Sequence, residues 1–128
     1  MARFLKSQRL RRRADFVRVQ GSSKRVSTPH FLFLFDPTPP DTHDVVSARI
    51  GFVVSKKVGC AVVRNRVKRV AREAFRLTPG LFPAGIDVVM IARNGAESLC
   101  LSDVQAEWSR ARGNIQRKAE ELLRQQKA

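Results

Sequence analysis

"RIGFVVSKKVGCAVVRNRVKRVAREAFR", residues 49–76, passes in a single run from the two-residue alternation of a strand to the 3.6-residue recurrence of a helix. In "RIGFVVSKK" the alternation puts Ile50, Phe52 and Val54 on one face and Gly51, Val53 and Ser55 on the other. Residues 62–76 contain neither Gly nor Pro and are rich in Arg, Lys and Ala, so the intrinsic preference is helical. At 100° per residue Val63, Val67, Val70, Ala71 and Ala74 share one arc, and Arg64, Asn65, Lys68, Arg69, Arg72 and Arg76 share the opposite one. Arg66 and Glu73 fall on the flank. Glu73 is expected to pair with Arg69 at i,i+4, which leaves most of the positive charge unneutralised. Gly59, just before the helix, reads as a tight turn in preference to an anion site, since the full phosphate-loop pattern is lacking.

A charge run is usually a solvated face, but a solvated helix mixes signs. This one concentrates a single sign and prefers Arg, whose planar fork suits phosphate. Lys56 and Lys57 lengthen the same surface. The whole chain agrees: among 128 residues, Lys and Arg number 25 against 11 acids, for a net charge of +14. The pI is near 11.5, and nucleic acid is the default partner. The length suits one domain, and 43% apolar residues can supply a modest core. No apolar run approaches the ~20 residues of a membrane span, so no membrane partner is expected. "MARFLKSQRLRRR" lacks the apolar segment of a secretory signal, which leaves a mitochondrial-type presequence as the weaker alternative to a basic arm. Cys60 and Cys100 lie far apart with no CxxC partner, which fits a reducing cytoplasm.

Elsewhere, residues 1–13 read as a basic flexible arm, residues 14–123 as the folded domain and residues 124–128 as a basic tail. "ADFVRVQ", Ala14 to Gln20, suggests a short helix that Gly21 ends. "FLFLFD", residues 31–36, is a strand apolar on both faces, followed by the turn-rich "DPTPPDTHD". Residues 31–36 and 49–57 are expected to pair as a hairpin. "IDVVMIAR", residues 86–93, is expected to be a central strand, set off from the basic helix by "TPGLFPAG". A long C-terminal helix should open with Ser102 and Gln105 in capping-box spacing and bury Val104, Trp108, Ala111, Ile115, Ala119 and Leu122. On that stripe Trp108 is core, not a base-stacking platform.

No cluster of Asp, Glu or His suggests a metal-dependent nuclease. Asp41, His43 and Asp44 are explained by turn chemistry, and His30 has no partner nearby in sequence at ligand spacing. Composition alone leaves a ribosomal or general RNA-binding protein as the alternative to a specialised one. An autonomous nuclease and a DNA-architectural protein have no supporting site.

The order of "RLRRRADF", residues 49–76 and "DVVMIAR", followed by a capped helix, resembles the bacterial ribonuclease P protein subunit, over about Arg9 to Arg93. The resemblance implies an α+β fold: one two-layer domain in αβββαβα order with a four-stranded sheet, like domain 2 of ribosomal protein S5, with a left-handed βαβ crossover. It implies a catalytic RNA partner that performs the Mg²⁺-dependent removal of 5′ leaders from precursor tRNA, the metal being bound mainly by RNA subunit and substrate, with no obligate protein partner. It places Arg64, Asn65, Arg66, Lys68, Arg69 and Arg72 near the catalytic RNA, and Phe16 in a cleft for the single-stranded leader. Arg11, Arg12 and Arg13 of the arm join the expected RNA-binding set. One departure is Gln20, where many members carry a second aromatic one turn beyond Phe16.

Overall fold

In the computed structural model the chain forms α1 (Arg13–Gln20), β1 (Arg25–Ser27), β2 (Phe31–Pro37), β3 (Arg49–Val54), α2 (Ala61–Leu77), β4 (Ile86–Ala92) and α3 (Leu101–Lys127), with a 3-10 turn at Ala96–Ser98. The structure describes residues 9–39 and 48–127. The observed order is the expected αβββαβα. β1 is not separable by periodicity, because three residues are too few to show a period.

The sheet runs β1-β2-β4-β3. β2 and β4 pair antiparallel along seven residues, from Phe31 opposite Ala92 to Pro37 opposite Ile86. β3 lies parallel to β4, with Arg49 opposite Asp87 and Val54 opposite Ala92. The expected hairpin between β2 and β3 therefore does not form, because β4 stands between them. β4 is buried on both faces, which suits a central position. A parallel neighbour needs a long crossover, and α2 supplies it.

The two faces of the sheet carry unequal loads. Toward α2 and α3, Phe31, Phe33, Phe35, Ile50, Val88 and Met90 pack with Trp108, Ile115 and Phe82 in the main core. Trp108 is fully buried and meets Phe31 and Phe33 edge-on, at centroid distances of 5.7 and 5.5 Å. On the other face Leu34 and Val89 pack with Leu10 and Val19, and half-buried Leu32, Val53, Ile91 and Phe16 surround them. These two uses explain why β2 is apolar at consecutive positions.

α3 buries the expected stripe of Val104, Trp108, Ala111, Ile115 and Ala119, with Leu122 half-buried. Its start differs from expectation. The Cys100 carbonyl accepts from the Val104 N–H at 3.1 Å, and the Cys100 N–H donates to Asp103 Oδ2 at 3.1 Å. The Asp103 carboxylate thus accepts from the N–H of the residue three before it, and Ser102 lies inside the helix. At the other end helix continues through residues 124–127, the expected tail. Packing also begins before the expected boundary at Ala14: Leu10 is buried and its N–H donates to the Ile50 carbonyl at 3.0 Å.

Trp108 Nε1 is buried without a hydrogen-bond partner among the described residues. Its contribution is therefore packing, and Trp108→Ala should cost about 3–5 kcal/mol of folding stability. Trp108→Phe should cost clearly less, as measured by urea unfolding, because the indole N–H has no hydrogen bond to forfeit.

Candidate nucleic-acid interface

α2 begins where β3 can turn sharply. A Cβ at Gly59 would lie 2.7 Å from Val63 Cγ1, so only glycine permits this approach of the turn to the first helical residues. Close packing against Val63 therefore accounts for a glycine at position 59. Val67, Ala71, Ala74 and Phe75 are buried, which turns the opposite side outward. Asn65, Arg66, Arg69 and Arg72 are exposed, and Arg64 and Lys68 are half-buried along their stems. Arg66 is tethered, donating from Nη1 to the Glu97 carbonyl at 3.0 Å. Arg64 Nε is shielded from solvent with no hydrogen-bond partner among the described residues. Glu73 pairs with Arg76 and not with Arg69: the Arg76 Nε donates to Oε2 at 3.0 Å and Nη2 donates to Oε1. The fork of Arg76 takes both carboxylate oxygens, a geometry with which a single i,i+4 contact cannot compete. The one acid of the helix is thereby drawn to its C-terminal end, away from Arg64, Lys68 and Arg72.

Beside this face a groove of about 240 Å³ is lined by Arg9, Leu10, Arg11, Phe16, Ile50, Gly51, Phe52, Lys68 and Arg72. It lies at the outer edge of β3, alongside the segment Arg9–Leu10 that bridges to Ile50. The structure thus brings together Arg11 and Phe16 from one stretch of the chain and Lys68 and Arg72 from another. Arg12, Arg13, Lys56, Lys57, Arg64, Asn65, Arg66 and Arg69 do not line the groove, and all of them except Arg64 are exposed. Sequence reasoning missed Arg9, Leu10, Ile50, Gly51 and Phe52. Gly51 was the available signal, since a lone glycine inside a strand marks close approach of another group. Here that group is the Phe16 ring: a Cβ at Gly51 would fall 2.4 Å from Phe16 Cζ and 2.5 Å from Cε1. The ring lies half-buried on the sheet, able to contribute to the small second core and still offer an edge to the groove.

α1, which carries Phe16, is fastened by charge. Arg18 donates to Asp36 Oδ2 and Asp87 Oδ2, each at 2.5 Å, to the Pro37 carbonyl at 3.0 Å and to Asp15 Oδ1 at 3.3 Å. Asp87, on β4, is fully buried. It also accepts from Arg49 Nε and Nη2 at 2.8 and 2.6 Å and from Thr38 Oγ1 at 2.8 Å. Burial pushes the Asp87 carboxyl upward, but the hydrogen bonds from Arg49, Arg18 and Thr38 together outweigh it and hold its pKa below the ordinary value. The carboxylate therefore stabilises the fold above the ordinary value of 3.8, and that contribution is lost as pH falls through the lower folded value. Asp87→Asn should cost about 3 kcal/mol near neutrality, because Arg49 loses its two-pronged carboxylate partner and Arg18 loses the buried one of its three. In urea titrations the gap from the parent chain should stay level down to roughly pH 4 and close only below it.

The remaining buried acid is similarly committed. Glu107 accepts from Thr28 Oγ1 at 2.6 Å and from the His30 N–H at 2.9 Å, and lies 2.6 Å from His30 Nδ1. His30 thus has a carboxylate partner that sequence proximity could not reveal. Among the described residues no group of three or more His, Cys, Asp or Glu is disposed to hold a metal ion. Asp41, His43 and Asp44 lie outside the described residues. Cys60 and Cys100 are free and exposed, and no described helix is long and apolar enough to cross a membrane.

Comparison with known proteins agrees along nearly the whole chain. The family model described as Ribonuclease P matches residues 4–126. A ribonuclease P protein component from Citrifermentans bemidjiense is 36% identical over 115 residues, covering 90% of this chain and 94% of its own. One from Syntrophobacter fumaroxidans is 42% identical over 107 residues, covering 83% and 86%. Among solved structures, the ribonuclease P protein from Thermotoga maritima superposes with a TM-score of 0.70 at 31% identity, over 84% of this chain and 97% of that one.

Proposed function

The chain belongs to the ribonuclease P protein family, and from that premise we propose that it is the protein subunit of a ribonucleoprotein that removes the 5′ leader from precursor tRNA in the cytoplasm. The observation that carries this reading is the continuity of two surfaces: the cationic face of α2 runs, through Lys68 and Arg72, into the groove that Phe16 borders. The face suits phosphates of a structured RNA, which a guanidinium binds in two-pronged fashion. The groove, with a ring and cations around an apolar floor, suits an unpaired nucleotide, whose base stacks with little regard to sequence. In this assignment Arg64, Asn65, Arg66, Arg69, Lys56 and Lys57 meet the catalytic RNA. Arg11, Arg12, Arg13 and Phe16 meet the leader, and Lys68 and Arg72 stand where the two meet.

The hydrolysis itself is assigned to the RNA. The buried acids Asp87 and Glu107 are engaged by arginine, threonine and histidine, and among the described residues no group of three or more His, Cys, Asp or Glu is disposed to hold a metal ion. In this reading Mg²⁺ is held mainly by the RNA subunit and the substrate. The protein's share is to neutralise phosphates and to hold the leader in place, which lowers the entropic cost of aligning the scissile bond.

Reassembly tests the division of labour. Purified chain with Mg²⁺ should leave precursor tRNA intact, and addition of the cognate RNA subunit should produce cleavage at the leader junction. Leader removal by RNA-free protein, abolished by changing one of its own acids, would overturn the assignment.

Position on α2 should matter beyond charge. Arg64→Ala with Arg72→Ala should weaken the ribonucleoprotein more than Arg110→Ala with Arg124→Ala, two exposed residues of α3. For each phosphate that the variant no longer neutralises, the slope of log affinity against log salt should flatten by roughly 0.7 to 0.9. Equal weakening by the two folded double variants would reduce the helix to generic charge.

A further inference from the structure

Phe16 sits on a helix that cannot hold a direction by itself. α1 has eight residues and no side-chain hydrogen bond at its N-cap, Arg12. Isolated helices of fewer than about 12–15 residues are marginal in water. Its apolar anchorage is small: Val19 is buried, Phe16 is half-buried and Val17 is 62% exposed. Apolar contact is non-directional, so two such residues hold the helix down without fixing its rotation about its own axis.

Arg18 supplies the missing constraint. It lies two residues after Phe16, about 200° around the helix, so the two side chains reach the sheet at different places. Phe16 rests over Gly51 of β3, and Arg18 reaches Asp36 of β2 and Asp87 of β4. Asp87 cannot yield, because it is fully buried and is also gripped by both Nε and Nη2 of Arg49 and by Thr38. A charge-assisted bond to an immobile acceptor has the directionality that the apolar contacts lack.

We propose that Arg18 and Asp87 are positioning residues for leader recognition: anchored on the central strand, the guanidinium sets the rotation of α1 and so keeps the Phe16 ring seated beside the groove. The inference rests on the reading above, in which the leader passes Phe16. Neither Arg18 nor Asp87 has to touch RNA for it to hold. A change at either one acts on affinity for leader-bearing RNA through the direction of a ring, leaving the α2 face as it was.

The experiment uses the ribonucleoprotein reassembled from the full chain and its RNA subunit, and reads the affinity gap between precursor tRNA and mature tRNA, which has no leader. Arg18→Met keeps the apolar stem and removes the fork. It should narrow the gap by about five- to tenfold, the scale of a single base stack, with mature tRNA binding and assembly with the RNA subunit unchanged. Arg18→Lys should restore part of the gap. Asp87→Asn should act in the same direction, and the double variant should narrow the gap no further than Arg18→Met, because the two residues act as a unit. If Arg18→Met fails to fold, Arg18→Gln decides, since it keeps a polar side chain on the stem and removes the charged fork that reaches Asp87. A folded variant with the parent gap overturns the proposal, as does an equal drop in affinity for both RNAs. Phe16→Ala separates this outcome from failure of the underlying reading: if that change leaves the gap intact, the leader does not use Phe16 at all. If it narrows the gap and Arg18→Met does not, the positioning role alone falls.

Discussion

A fully buried carboxylate on the central strand is the constraint around which this molecule is arranged. Asp87 would be costly to bury alone, and the cost is met by drawing arginines from α1 and β3 and a threonine from the end of β2 to one point. Three elements of the sheet and its one small covering helix are thereby registered against each other at the same end. The opposite end is registered by a second buried acid, Glu107, which ties the β1–β2 turn to α3 through Thr28 and His30. The apolar core between these two points fills space, and the two carboxylates say where the pieces go. Such pairs are weak contributors to net stability but good at excluding alternative arrangements, which suits a sheet whose central strands are apolar on both faces.

The elements are legible in the sequence because their periods are long and pure. α2 and α3 each present several turns of unmixed apolar stripe, and the greasy arc of α2 is buried at Val67, Ala71 and Ala74. β4 reads as central because "IDVVMI" has no polar face beyond Asp87. Pairing is a different matter. Nothing in residues 31–36 or 49–54 says that a strand nearly forty residues further on will come between them, since strand order is set by which surfaces must be covered. The motif order and the resemblance it carries supply what periodicity cannot, including the three-residue β1.

The site is half legible. The basic face of α2 follows from spacing alone, and Glu73 is too little acid to neutralise it, although its partner is Arg76 and not the Arg69 that spacing suggests. The groove is not legible, because its walls come from residues 9–16, 50–52 and 68–72, and only the fold brings them to one edge. Leu10 is the most misleading residue. Lodged among arginines in "RLRRR", it reads as part of a solvated arm, yet it is buried against the sheet. A single apolar residue in a charged run has no period to betray it.

The hydrogen bond from Leu10 to the β3 backbone has a consequence for solubility. β3 is the last strand of its sheet, and an uncovered outer edge there would present a row of unpaired amides and carbonyls to any passing extended chain. Arg9 and Leu10 lie alongside in parallel bridge geometry at Ile50, and Arg11 and Arg12 follow directly. A second molecule seeking to add a strand would have to displace that segment and bring its own cationic arm against this one. At the far side β1 is only three residues long, with Arg25 at its start, which offers little template. Positive charge along this segment thus also works against copies of the chain pairing edge to edge.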